Sequence, residues 1–448
     1  MSAAPEPSSV KRALSAHAAI GLITGGLLYL VCLTGTVSVF YPELQRLEQA
    51  VAPEMESIAP DAVQRGVEAV LASEKGKPPT THLYVHMPVE DLPRATITTD
   101  TQAVHLNADG SIAGPEEIAW SDFLVALHYT LNLPGLIGMT VVGALGAMIL
   151  ALSISGVVAH PRIFRDAFCL RARDHSGVGL ADWHNRLSVW TLPFSTAIAL
   201  TGAVIGLGSL TVWGLAELRE KGDVLRVYAP LFGPEGKPDG RPAPAPDVAG
   251  VLRDMARRFP AVTITYVTLH EPQTVGQEVQ VAARHSQRLI FGEYYRYDAG
   301  ARYLGAAGMA EGDLGQQAAA STYSLHFGDY GGLVVKLAYV LFGAALTAIC
   351  ATGVYIWLGK RQRRGFAEPR LARLWDGIVW GGLLVLAITL VARVALGNAV
   401  AFVPLFWVGY LIVLVLAVMV GTEPLRFRRM IRNLAAATTL LSTVMLLA

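Results

Sequence analysis

Residues 11–41 read KRALSAHAAIGLITGGLLYLVCLTGTVSVFY, and their reading decides what kind of chain this is. A basic pair, Lys11 and Arg12, opens the stretch, and no acidic side chain follows until Glu43. A helix crossing a bilayer needs roughly 20 apolar residues, and this run supplies more. It also outruns the roughly 7–15-residue apolar core of a secretory signal and lacks a convincing cleavage site, so an uncleaved first span is expected. His17 stands one turn inside the run, with Gly21 and Gly25 following at steps of four. On a helix these three positions share one face. An imidazole above a glycine-floored groove suits a ligand with a flat molecule beside it.

Composition extends that reading to the whole chain. Of 448 residues, 53% are hydrophobic and only 16% charged, and the mean hydropathy is +0.43. Such values fit several membrane spans joined to water-facing segments. A net charge of +1 argues against a polyanionic partner such as nucleic acid. The cysteines, Cys32, Cys169 and Cys350, stand far apart, and no C-x-x-C-H occurs. That excludes covalently attached haem and gives no spacing for a zinc site or a disulfide framework.

Further apolar runs lie at about 136–159, 187–213, 333–358, 377–397 and 400–420, with a shorter one at 434–448. Six spans and a marginal seventh are expected. Arg162, Arg165, Arg171 and Arg173 fall between the second and third, Lys360 to Arg373 hold six basic residues after the fourth, and Arg426, Arg428, Arg429 and Arg432 follow the sixth. The positive-inside rule puts these loops and the N-terminus in the cytoplasm and the long insertions outside it, in the periplasm of a bacterial inner membrane.

The expected division is 1–41 (N-terminus and first span), 42–121 (first outer domain), 122–160 (His128 segment and second span) and 161–182 (basic loop). It continues with 183–213 (third span), 214–324 (second outer domain), 325–358 (His326 segment and fourth span), 359–374 (basic loop) and 375–448 (fifth to seventh spans). Each outer insertion carries one amphipathic helix, 61–74 or 247–259, followed by strand-like runs. Those runs are 81–85, 95–99 and 103–106 in the first, and 262–269, 278–283 and 289–297 in the second. Residues 233–246, rich in proline and glycine, read as a linker.

An internal repeat organises these pieces. His17 precedes the glycine of Leu33-Thr34-Gly35 by 18 residues, and His184 precedes that of Leu200-Thr201-Gly202 by 18. Leu127-His128 and Leu325-His326 precede Ser155-Gly156 and Thr352-Gly353, with His-to-Gly separations of 28 and 27. The expected fold is therefore an integral membrane α-helical protein with a central four-helix bundle built from two parallel helix–outer domain–helix repeats. Two small α+β outer domains and a C-terminal unit of two to three extra transmembrane helices complete it.

The repeat yields four histidines in two depth classes, His17 with His184 at the inner edge and His128 with His326 at the outer. Neutral imidazole is a haem-iron ligand, and a pair on facing helices can clamp a porphyrin where small residues make room. Gly21, Gly25 and Gly26 follow His17; Ser188, Thr191 and Ser195 follow His184; Asn132, Gly135 and Gly138 follow His128; Gly328, Gly331 and Gly332 follow His326. Isolated histidines at helix ends are often interfacial anchors, and membrane-helix glycines are often packing positions; the fourfold correspondence favours ligation. Other histidines rank lower: His160 ends the second span where the second copy has Trp357, so the repeat does not support it, and His175, nine residues before His184, is an alternative inner ligand. His82, His86, His105, His270 and His285 read as surface residues, with His82 and His86 able to touch a substrate. Lys336 and Arg393 read as snorkelling, and Trp120, Trp183, Trp190, Trp213, Trp357 and Trp375 as clustering near the interfaces, mostly as membrane anchors. The span centres hold no acidic residue, which counts against a proton-coupled transporter.

These features resemble the PepSY-associated transmembrane proteins, iron-regulated bacterial inner-membrane proteins that include siderophore-iron reductases. The features carrying the resemblance are His17 with Leu33-Thr34-Gly35, Leu127-His128, Asp182-Trp183-His184-Asn185-Arg186, and Leu325-His326-Phe327-Gly328 with Gly331-Gly332. The likeness covers about 11–360, and the outer domains look like PepSY domains. It implies two b-type haems with His17, His184, His128 and His326 as axial ligands, and reduction of a ferric siderophore or other ferric chelate to release ferrous iron. The electron donor is left open between a quinol, a flavin and a cytoplasmic reductase, because helices stand where some relatives carry a flavin domain. A non-redox membrane protein that binds or regulates a periplasmic protein, or a permease for iron or a metabolite, are the alternatives.

Overall fold

The computed structural model describes residues 9–160, 163–166, 178–233, 236, 239–285, 289 and 292–447. The chain forms two compact units, each assembled from separated segments. One comprises Met1–Tyr41, Ala119–Ser209 and Gly331–Ala448; the other comprises Pro42–Ile118 and Leu210–Tyr330.

In chain order, α1 (Ser9–Ser38) and the short α2 (Tyr41–Glu48) lead to α3 (Pro60–Ser73) and strands β1 (His82–His86), β2 (Thr96–Thr98), β3 (Ala103–Leu106) and β4 (Ile112–Pro115). Helices α4 (Ala119–Tyr129), α5 (Gly135–Ala159), α6 (Ile163–Asp166), α7 (Val178–Trp190), α8 (Leu192–Arg219) and α9 (Val224–Phe232) follow. The second copy of the outer pattern is α10 (Val248–Arg258) with β5 (Val262–His270), β6 (Glu278–His285), β7 (Glu293–Asp298) and β8 (Tyr303–Ala306). The chain ends with α11 (Leu314–Phe327), α12 (Gly332–Arg363), α13 (Pro369–Asp376), a π-helical turn at Gly377–Gly381, α14 (Gly382–Leu396), α15 (Phe402–Met419) and α16 (Pro424–Leu447).

Six helical segments are long and apolar enough to span a bilayer: Ser9–Ser38, Gly135–Ala159, Leu192–Arg219, Gly332–Arg363, Pro369–Leu396 and Phe402–Met419. The chain is a multi-pass membrane protein. The marginal seventh run lies within α16, which begins ten residues earlier among arginines and is not among the six. The third span departs from the expected continuous 187–213. A turn at Thr191 separates α7 from α8, where Pro193 fits the first helical turn but would disrupt a helix interior. His184 therefore lies on its own helix.

In the first unit α1 packs against α12, α5 and α4, and α7 packs against α12. Small residues permit close approach: a Cβ on Gly143 would fall 2.8 Å from the Gly206 carbonyl carbon, and one on Gly343 would fall 2.6 Å from Thr36 Oγ1. The C-terminal helices are tied in by a buried carboxylate. Asp376, fully buried, accepts hydrogen bonds from Arg428 Nε (2.7 Å) and the Tyr355 hydroxyl (2.8 Å), and the Arg428 guanidinium lies 4.4 Å from the Tyr355 ring centre. Arg373 is buried and donates to the carbonyls of Ala417 and Thr422. It satisfies the C-terminal end of α15, where a cation also complements the helix dipole. Lys336 is buried, not snorkelling. Trp120 and Trp375 are likewise buried, donating to Thr389 Oγ1 and the Ala351 carbonyl, so these two are internal struts and not interfacial anchors.

The second unit holds one antiparallel sheet of eight strands in the order β4-β3-β2-β1-β5-β6-β7-β8. The two sets of four strands join edge to edge, β1 pairing with β5 in the register His82↔His270, Tyr84↔Thr268 and His86↔Tyr266. Both amphipathic helices form within a residue or two of the expected limits. Pro60 starts α3, and the Asp247 carboxylate caps α10 by accepting from Gly250 N–H at 2.7 Å. Their apolar stripes share one core with the sheet: Val63, Val67 and Val70 from α3, Val251 and Met255 from α10, and Leu83, Val85, Val267, Leu269 and Val281 from the strands. Each such side chain, fully buried, stabilises the fold by about 1.5–3 kcal/mol.

Candidate functional site

The rings of His17 on α1 and His184 on α7 lie with centres 6.5 Å apart and planes at 90°. Each is held through Nδ1. His17 Nδ1 lies 3.0 Å from the Leu152 carbonyl and 3.1 Å from Ser155 Oγ, and that hydroxyl already donates to the Leu152 carbonyl. His184 Nδ1 lies 2.9 Å from Thr352 Oγ1, whose proton goes to the Ala348 carbonyl. With acceptors on every side, Nδ1 carries the proton in both rings, and Nε2 keeps its electron pair. His128 on α4 follows the same rule, donating from Nδ1 to the Val31 carbonyl at 2.9 Å.

Glycines seat the rings. A Cβ on Gly156 would meet His17 Cε1 at 3.4 Å, one on Gly353 would meet His184 Cε1 at 3.4 Å, and one on Gly35 would fall 2.5 Å from His128 Cε1. The seats of these three rings are thus glycines of the motifs that define the repeat, each on the other helix of the same half. Sequence reading used Gly35, Gly156 and Gly353 only as repeat markers, although their matched positions were the available signal.

His17 and His184 line a cavity of about 330 Å³ whose walls include Gly21, Gly25, Ser188, Ser195 and Gly353. Gly21 and Gly25 therefore face this space as expected, with Gly25 also approached by Val354 and Trp375. Gly26 is turned toward Ile378. His160, Asn185 and Lys360 supply polar groups to an otherwise apolar lining. His160 Nε2 is 3.5 Å from Asn185 Nδ2, and both line the same cavity as His17. His175 lies outside the described residues, within 167–177.

The small residues near His128 and His326 build turns. Leu131 and Asn132 both have φ of 55°, and Gly138 packs against Thr130, leaving no room for a Cβ. Gly328 caps α11 in the left-handed conformation, and Gly331 and Gly332 also have positive φ. Gly328 ends α11, and Gly331 precedes the first residue of α12. His326, near the end of α11, belongs to the second compact unit, whereas the other three histidines belong to the first.

Two imidazoles whose ring centres lie 6.5 Å apart beside one cavity would be the groups able to hold a metal or metal-centred cofactor here. Hydrogen bonding of the second ring nitrogen is how ligating histidines are generally oriented.

The PepSY-associated TM region model matches residues 14–360. The chain belongs to this family. All four repeat histidines fall within the PepSY-associated match, and α13 to α16 lie beyond it. The chain is also 29% identical over 272 residues to the uncharacterized protein PA4219 of Pseudomonas aeruginosa, covering 58% of this chain and 69% of that one.

His105, expected at the surface, is only 3% exposed. Its Nδ1 meets Thr96 Oγ1 and its Nε2 meets Gln49 Oε1, both at 3.0 Å. Burial, with the nearby Arg94 cation, pushes its pKa down to about 4. It is a structural histidine of the sheet.

Proposed function

We propose that this protein is a transmembrane di-haem b-type oxidoreductase that takes electrons from a donor on the cytoplasmic side, a quinol, a flavin or a cytoplasmic reductase, and carries them across the bacterial inner membrane. At the periplasmic side it reduces a ferric chelate, a ferric siderophore by family likeness, and releases ferrous iron. The reading takes the N-terminus and basic loops as cytoplasmic and the eight-stranded unit as periplasmic. It arranges α1, α5, the α7–α8 pair and α12 as a four-helix bundle of two parallel repeats.

One observation carries the reading: two histidines at equivalent repeat positions bring their rings within 6.5 Å beside one apolar cavity, each held at Nδ1. His17 and His184 would hold the inner haem, and His128 and His326, equivalent by repeat, the outer one. Bound haem supplies reversible one-electron transfer, with its potential set by the axial ligands and their hydrogen bonds. The chain's part is to fix both rings. The Leu152 carbonyl with Ser155, and the Thr352 hydroxyl, hold the protons on Nδ1, while the glycine seats set ring position. The apolar cavity walls exclude water. A ferric ion in hard oxygen donors is bound more tightly than a ferrous one, so a single electron loosens the complex.

Purified protein should show a Soret band that shifts with dithionite and about two haems per chain by pyridine haemochrome. Haem-free protein that still captures a periplasmic partner would overturn the reading in favour of a regulatory role. Four single His→Ala variants that all keep full haem content would overturn the ligand assignment.

A further inference from the structure

Leu83, Val85, Val267 and Leu269 point into the core beneath α3 and α10. Alternation places His82, Tyr84 and His86 of β1, with Tyr266, Thr268 and His270 of β5, on the opposite sheet face. Along the seam between the repeats this makes a ladder of rings: His82 to His270 at 5.1 Å, Tyr84 to Tyr266 at 6.4 Å and His86 to Tyr266 at 6.1 Å between centres.

The pair at the end of the ladder differs from the rest. His82 and His270 face each other across the strands with planes at 79°. Two imidazoles bound to one metal at a tetrahedral angle place their ring centres about 5 Å apart, the separation found here. A hydrogen-bond relay also fixes His82. The Asp100 carboxylate accepts from Thr81 N–H at 2.7 Å and from the Thr81 hydroxyl at 3.0 Å. With its proton committed there, Thr81 Oγ1 accepts from His82 Nδ1 at 3.1 Å. His82 therefore keeps its electron pair on Nε2, oriented by a carboxylate–hydroxyl–imidazole chain of the kind that steers metal ligands.

We propose that His82 and His270 form a binding site for one divalent ion of the first transition row, with water completing its coordination. No group of three or more potential ligands occurs among the described residues, so the proposed site rests on these two imidazoles, with water as the remaining ligands. Two neutral imidazoles select zinc, nickel, copper or ferrous ions over magnesium and calcium, which prefer oxygen donors. The binding stands independently of the redox reading. Ferrous iron as the ion met in the cell rests on that reading, since it would be the product released at this unit.

Zinc chloride is the probe, because it is redox-inert and needs neither haem nor donor. Full-length protein in detergent, stripped with chelator, is dialysed against zinc and assayed by elemental analysis. Wild type should hold about one zinc more than His82→Ala or His270→Ala, His86→Ala should match wild type, and Thr81→Val should weaken binding several-fold. Equal zinc in all variants, or an equal loss in His86→Ala, would overturn the site. Should the alanine variants fail to fold, X-ray absorption of zinc-loaded wild type decides: two imidazoles with oxygen neighbours support the site, and sulfur or more than two imidazoles overturns it. Loss of the haem spectrum without loss of zinc would sink the redox reading alone.

Discussion

His184 rests on Gly353, and the closeness of that seat sets how much the position can bear. A Gly353→Leu side chain must displace the ring, and on the proposed di-haem reading the expected result is a fall from about two haems per chain to about one, read by pyridine haemochrome. Gly208, with nothing near its Cβ position, is the control, and Gly208→Ala should keep both. His105 gives a prediction in pH. It titrates at about 4 in the folded chain against about 6.5 unfolded. Between those values the unfolded chain takes a proton that the folded chain refuses, so stability falls as pH drops from about 6.5 to about 4 and levels off below. The slope attributable to it is at most about 1.4 kcal/mol per pH unit. Thermal midpoints of wild type and His105→Gln should converge in slope only outside that window. Asp254, held down to about 2 chiefly by Arg258, contributes its loss at lower pH and leaves the window clear. The histidines were legible as a set because the repeat made them coincide. Their seats were not, because a glycine touching a ring 93 to 169 residues away in sequence leaves no local mark.

At the scale of elements, the Asp376 contact joins α13 to α12 and α16. Arg428→Leu leaves a fully buried carboxylate without its cation and should cost about 3–5 kcal/mol, seen as early proteolysis of α16 in an otherwise folded protein. Asp376→Asn with Arg428→Leu should recover part of that loss, because the stranded charge is gone. The spans were readable from apolar length alone, and α3 and α10 from their 3–4 spacing. Strands β4 and β8 escaped because Ile-Ala-Gly-Pro and Tyr-Leu-Gly-Ala are four-residue edge segments with glycine, too short for alternation to register. The break at Thr191 was signalled by Pro193, but uninterrupted hydropathy masked it. Asp376 lay one residue before the expected fifth span, so its burial went unseen.

For the molecule as a whole, the joined sheet couples the two repeats. Val85→Ala removes core volume from β1, which should lower hydrogen-exchange protection in β5 and β6 as well as in β2. Two independent domains would confine the change to β1 through β4. Nothing in the sequence announces this union, since pairing between segments some 180 residues apart has no periodicity to detect. Each half shows its own pattern, and the junction appears only when both fold.

The β1–β5 seam has one more consequence, in terms of ancestry. Equivalent strands of the two repeats meet antiparallel, and in the other unit the equivalent residues His17 and His184 meet ring to ring. Like-with-like contact across a local two-fold is the signature of an isologous dimer. A chain carrying a single repeat would have every surface needed to assemble as two identical copies, one strand edge and one histidine from each. Gene fusion would then have freed the two copies to diverge.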